Sequence, residues 1–206
     1  MKSITVIVST LSLCLVAPLA LADDTGDQAA AEAARVKIET ACQTCHGPIG
    51  NSVVATFPRL NGQQADYIIA ELKQFHDHSR DDPHARAYMW GMASQLDDSI
   101  IAAIAKYFAS QKPTEPQKGG ELAAQGEKIF MNGVETRDIP PCATCHGAHG
   151  DGNSVIPRIA GQHADYLKSQ LEAFRTLLRP SDVMHANTKE MTDSEIEAIV
   201  SYLAND

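Results

Sequence analysis

The chain is written twice, and this constrains its fold more than any local pattern does. ACQTCHGPIGNS at 41–52 returns as PCATCHGAHGDGNS at 141–154, and FPRLNGQQADY at 57–67 returns as IPRIAGQHADY at 156–166. Each half then runs through an arginine (Arg80, Arg179) and a methionine (Met89, Met184) to a closing apolar segment, DDSIIAAIAKYFAS or TDSEIEAIVSYLAN. Matched positions lie 100 apart at the cysteines, 99 apart from Phe57/Ile156 to Arg80/Arg179, and 95 apart from Met89/Met184 to Ala109/Ala204. Drifts this small are loop insertions within one repeated unit. Of the 206 residues, 23–110 and 121–206 therefore read as two units of about 90 residues, each the size of a small domain. Between them QKPTEPQKGG, residues 111–120, carries two prolines and two glycines and reads as a linker.

Within each unit the period is helical. Ile68, Leu72 and Phe75 stand at i, i+4, i+7, as do Leu167, Leu171 and Phe174, and the spacing returns in Ile100, Ile104, Tyr107 and in Ile196, Val200, Leu203. Thr192 to Glu195 has the spacing of a capping box and predicts a helix start. Residues 27–40 and 121–130 read as the opening helix of each unit, leading into the cysteines. No segment alternates convincingly, so the predicted class is all-α. Only 5% of residues are aromatic, with a single Trp, so a core of side chains alone would be thin.

Residues 1–22, MKSITVIVSTLSLCLVAPLALA, have one Lys, an apolar stretch and an Ala-Leu-Ala end, the pattern of a cleaved secretory signal. The alternative, an uncleaved anchor, is disfavoured because the stretch falls short of the roughly 20 residues a spanning helix needs. Cleavage implies export to the periplasm and removes Cys14, leaving Cys42, Cys45, Cys142 and Cys145.

Those four cysteines form CQTCH (Cys42–His46) and CATCH (Cys142–His146), both C-x-x-C-H, the attachment signature for c-type haem. Two thiols one helical turn apart can each form a thioether with a haem vinyl group, while the adjacent histidine reaches the iron. A zinc site would have to gather pairs separated by the stretch from Cys45 to Cys142, far beyond the roughly 15 to 20 residues of zinc ribbons, and would leave both histidines idle. A redox disulfide of the thioredoxin sort wants a βαβ context that is absent here, and structural disulfides, open to an exported protein, do not explain a histidine after both pairs. Two covalently bound haems, each bringing iron and a large apolar surface, would also supply the core that the composition lacks.

His46 and His146 offer one axial iron ligand each. For the other, only Met89 and Met184 are methionines at equivalent places in both halves; Met92 pairs with Asn187 and Met191 with Leu96, and no histidine outside the two motifs repeats. His/Met ligation raises a haem potential relative to two histidines.

CxxCHG followed by GNS, the FPRLNGQ and IPRIAGQ blocks, the methionine loop and the closing YFAS/YLAN helices together resemble the dihaem cytochrome c4 family over essentially the whole mature chain. HDHSR, YMWGM and IPPC look closest to the cytochromes of acidophilic iron- and sulfur-oxidising bacteria. The resemblance implies two tandem class I cytochrome c domains related by a pseudo-twofold axis, propionate edges facing. It also implies that the carbonyls of Pro58 and Pro157 accept a hydrogen bond from the proximal histidine, and that Arg59 and Arg158 lie near the haem propionates; solvated surface arginines are the alternative. From Arg80 to Met89 is longer than from Arg179 to Met184 by the stretch around Asp81-Asp82-Pro83-His84, so the two halves are expected to differ in potential or in docking partner.

A net charge of -9 excludes the basic footprint of a nucleic-acid binder. The expected role is a periplasmic electron carrier, not an enzyme, between a periplasmic or membrane donor and a terminal oxidase or other acceptor, with any membrane association made through those partners. Its rival is a dihaem subunit of an enzyme complex, such as flavocytochrome c sulfide dehydrogenase. A dihaem peroxidase would be much longer, and a thiosulfate dehydrogenase using a cysteine ligand would need a further cysteine.

Overall fold

The computed structural model describes residues 24–117 and 119–205. The expected leader, 1–22, lies outside the described residues. Among those described, helices alternate with loops and the only β pairing is in three isolated bridges, in line with the all-α expectation. No described helix is long and apolar enough to cross a membrane.

The two halves begin differently. In the first, α1 (Asp24–Lys37) runs through a π-helical turn at Ile38–Cys42 directly into α2 (Gln43–His46). In the second, α6 (Gly120–Asn132) stops ten residues short of α7 (Ala143–His146). Gly133 ends it at φ +69, and a Cβ there would overlap the Ile139 carbonyl. The loop that follows closes on a Val134–Ile139 bridge, and Pro140-Pro141 bars further helix before the cysteines. The expectation that each opening helix leads into its cysteines therefore holds without a break only in the first half.

From each histidine a loop leads to a middle helix, α3 (Ala65–His76) or α8 (Ala164–Arg175), and then to the methionine segment. In the first half that segment is a π-helical turn, Ala85–Met89, continued by α4 (Trp90–Ala93); in the second it is α9 (Asp182–Thr188). The closing helices α5 (Asp98–Ala109) and α10 (Asp193–Leu203) are capped by Asp97 and by the Thr192–Glu195 capping box expected from sequence.

The first and last helices of each half cross, α1 on α5 and α6 on α10. Ile38, Ile101, Ile104 and Phe108 bury one core, and Phe130, Ile196, Ile199 and Leu203 the other. At the second crossing the backbones approach so closely that a methyl on Gly126 would overlap the Ala198 carbonyl. Gly126→Ala is expected to lower the unfolding free energy by about 1–3 kcal/mol, the usual range for overpacking, as read by urea denaturation.

A pseudo-twofold axis relates the halves, and its contacts come from repeated residues. The Gln63 side chain grips the main chain of Arg158, accepting from its N–H (2.7 Å) and donating to its carbonyl (2.8 Å). Gln162 does the same to Arg59, at 2.8 and 3.0 Å. One position further on, Gln64 donates to the Asp151 carbonyl (2.8 Å), while the His163 Nε2 lies 3.0 Å from the Ser52 carbonyl. The expected linker is held in this boundary: Asn61 donates to the Lys112 carbonyl (2.8 Å), and Gly62 and Gly161 admit Pro113 and Thr114 where a Cβ would collide.

Candidate functional site

In each half the last helical turn before a positive-φ glycine carries the site: α2 before Gly47 and α7 before Gly147. Cys42 ends the π-helical turn that runs into α2 and Cys142 is the N-cap of α7, so in each half both cysteines and the histidine fall within about one helical turn. All four thiols are free, so the disulfide alternative is absent from this structure. No three His, Cys, Asp or Glu side chains among the described residues converge as metal ligands, so the two cysteine pairs do not form a zinc cage.

The histidines are buried and oriented. His46 Nδ1 lies 2.8 Å from the Pro58 carbonyl, and His146 Nδ1 lies 3.1 Å from the Pro157 carbonyl. A carbonyl can only accept, so Nδ1 carries the proton and Nε2 keeps its lone pair. Burial pushes both imidazoles below their ordinary pKa, against the smaller upward pull of those carbonyls, which favours the neutral, metal-binding form. Burial likewise pushes the Cys42 thiol up and the Cys142 thiol up to about 11. Phe57 meets the His46 ring edge-on at 6.2 Å, and Tyr88 meets Phe57 at 5.3 Å, extending an apolar wall toward the methionine segment.

Met89 is part-buried and packs against the first core, whereas Met184 is part-buried on α9. Of the remaining methionines, Met191 is inside the second core and Met92 and Met131 are exposed. The residue after each methionine anchors its segment: the Trp90 indole donates to the Arg80 carbonyl (2.8 Å), and the His185 Nδ1 lies 3.0 Å from the Phe174 carbonyl.

Arg59 and Arg158 stand at the boundary between halves. Arg59 donates to the carbonyls of Gly161 and Asn205, and Arg158 pairs with Asp151 and with Glu115 at 3.2 Å. Sequence reasoning missed a second arginine pair beside them. Arg80 and Arg179, both buried, share Glu71 from α3 and Gln170 from α8. Gln170 Oε1 accepts from Arg80 at 2.8 Å and from Arg179 at 2.6 Å; Arg179 also donates to the Tyr67 hydroxyl at 2.9 Å. Glu71 and Gln170 are matched positions 99 apart, so the cluster straddles the pseudo-twofold axis with a carboxylate on one side only. The signal was the repeat itself, which returns Gln63/Gln162 and Arg80/Arg179.

The family described as cytochrome c matches residues 30–112 and, a second time, 123–205. A cytochrome c4 of Thiocapsa roseopersicina is 38% identical over 89% of this chain and 95% of its own. The chain belongs to the dihaem cytochrome c4 family. The solved cytochrome c4 of Acidithiobacillus ferrooxidans superposes with a TM-score of 0.74 at 38% identity, covering 79% of this chain and 96% of that one. A protein of Thiomonas intermedia named thiosulfate dehydrogenase electron acceptor is 34% identical over 79% of this chain and 77% of its own.

A c4-family cytochrome carries two covalently bound c-type haems, here on Cys42/Cys45 and Cys142/Cys145, and its activity is electron transfer. The residues present fit that group. Two free thiols, a buried neutral imidazole with Nε2 unused, and an apolar wall are the donor set and the lining that it requires.

Proposed function

We infer that this c4-family cytochrome is a periplasmic carrier whose irons are bound by His46 with Met89 and by His146 with Met184, taking electrons from a respiratory donor and passing them to a terminal oxidase or other acceptor. The observation that carries this reading is the duplicated imidazole geometry, with Nδ1 committed to a proline carbonyl and Nε2 left as donor in both halves. The repeat register supplies the partner methionines.

The haem supplies one-electron chemistry at iron. The chain's residues do the rest. The Pro58 and Pro157 carbonyls fix ring orientation and tautomer, as partners of metal-bound histidines do. The thioether cysteines hold the group covalently. Trp90 and His185 tether the methionine segments, and Phe57 packs edge-on against the His46 ring of the first site. With a histidine and a methionine holding each iron, a substrate would find no open coordination site. Acceptors and donors of positive surface charge suit the net charge of -9.

A second reading, as the electron acceptor of a thiosulfate-oxidising enzyme, is favoured by the name of the Thiomonas relative. It keeps the same two sites and changes only the donor. Exposing the reduced protein to carbon monoxide tests the closed coordination that both readings need. Neither haem is expected to bind it, and binding at either one contradicts carrier ligation there. Reduction by a purified thiosulfate dehydrogenase, compared with reduction by a respiratory donor, then separates the two.

A further inference from the structure

The two methionine segments are anchored to different things. In the second half every anchor is local: Ser181 caps α9 by accepting from the Met184 N–H (3.3 Å), Thr188 donates to the Met184 carbonyl (2.8 Å), and His185 sits against Phe174 of its own half. In the first half the Trp90 and Asp82 anchors converge on Arg80, while the His78 ring stacks on Trp90 at 4.0 Å. The Arg80 carbonyl accepts from Trp90, the residue after Met89, and the Arg80 Nε donates at 2.8 Å to Asp82. Asp82 in turn caps the turn that begins at Pro83 and leads to Met89, accepting from the Ala85 N–H at 3.3 Å.

The other end of Arg80 lies in the boundary between the halves. Its two Nη groups reach Glu71 and, across the boundary, Gln170. Arg179 is the matched residue, but both its Nη groups are spent on Glu71, Gln170 and Tyr67, and among the described residues it makes no hydrogen bond to the Met184 segment. Two residues after Arg179, where Asp82 follows Arg80, stands Ser181, which brings no carboxylate to pair with an arginine. The Arg80 and Asp82 side chains are almost wholly buried, and water does not compete well for buried charge-assisted bonds of this kind.

We propose that Arg80 is a positioning residue that couples the domain boundary to the Met89 arm of the first haem site through Asp82 and Trp90, with no equivalent coupling in the second site. Loosening the boundary then loosens Met89 and leaves Met184 in place. The asymmetry gives a docking partner or a domain movement a route to one haem and not the other. The proposal rests on the reading that Met89 is an iron ligand.

The test uses the full dihaem chain and imidazole as a competitor for the methionine position, each methionine followed by the NMR signal of its iron-bound methyl group. Asp82→Ser copies Ser181, keeping a capping oxygen while removing the bond to Arg80. It is expected to raise imidazole affinity at the first haem about tenfold, ~1.4 kcal/mol, with the second haem unchanged and the gain abolished when Met89→His is added. Gln170→Ala removes the cross-boundary acceptor from the second half. It should still raise imidazole affinity at the first haem more than at the second, whereas a purely structural role would weaken its own half first. Equal changes at both haems, a larger change at the second, or no change in either variant overturns the coupling. A native protein whose first haem shows no bound methionine methyl overturns both the coupling and the ligand reading, and is seen before any variant is made.

Discussion

A chain made without haem attachment, as in the quadruple variant with Cys42, Cys45, Cys142 and Cys145 replaced by alanine, is expected to lose roughly half or more of its helical circular dichroism, because a small domain of about 90 residues buries too little surface of its own to fold firmly. The side-chain cores are modest: a few isoleucines and one or two aromatics in each half, crossed helices, and long loops between. In the second half the helix that leads to His146 has only four residues and no helix running into it, far below what holds a helix in isolation. Removing only the Cys42/Cys45 pair should leave a one-haem chain in which the second half keeps its helices and the first loses them. A haem-free chain with native circular dichroism and a cooperative melt would show that the protein core suffices.

Glu71→Ala is expected to destabilise the haem-loaded protein by about 3–5 kcal/mol, the range for breaking a buried ion pair from one side. Two buried guanidinium groups, Arg80 and Arg179, would lose their shared carboxylate, leaving Asp82 as the remaining anion at the cluster. The acid limb of stability reports the same cluster. Burial pushes the Glu71 and Asp82 carboxyls up, but Arg179 and Arg80 outweigh burial at Glu71, and Arg80 does so at Asp82, so both sit below their ordinary values. A carboxyl depressed in the folded state contributes its full share above its unfolded pKa and loses it as pH falls through the folded one. The contribution of this cluster should therefore be level above about pH 5 and decline on acidification. Glu71→Ala should flatten that decline in urea titrations across the acid range. An unchanged acid limb would place the pH-sensitive groups elsewhere.

The haem-attachment cysteines were legible in the sequence, and the candidate iron ligands could be nominated from it, because the motif is encoded locally. Cys42, Cys45 and His46 need only one helical turn to converge, and the repeat separates Met89 and Met184 from the methionines that the structure puts in a core or at the surface. The helical class was legible for the same reason, from spacings within single helices. The boundary between halves was not, because a repeat shows that Arg59 and Arg158 are equivalent without showing what they face. Their main chains are gripped by the glutamines of the opposite half, a contact no spacing within either half encodes. The stretch 111–120 reads as a tether from its prolines and glycines, yet Asn61 holds Lys112, and Gly62 and Gly161 make room for Pro113 and Thr114. The loop after α6 had visible cues in Gly133, whose positive φ ends the helix, and in Pro140-Pro141 before the cysteines.

The most direct measurement is the optical spectrum of the purified oxidised and reduced protein with haem quantified per chain. Two covalent haems, with a weak far-red ferric band of the strength expected for two methionine-ligated irons, would match the carrier that His46/Met89 and His146/Met184 describe. A band of half that strength, or a high-spin signal from one haem, would contradict it and place an open iron site in one of the two halves.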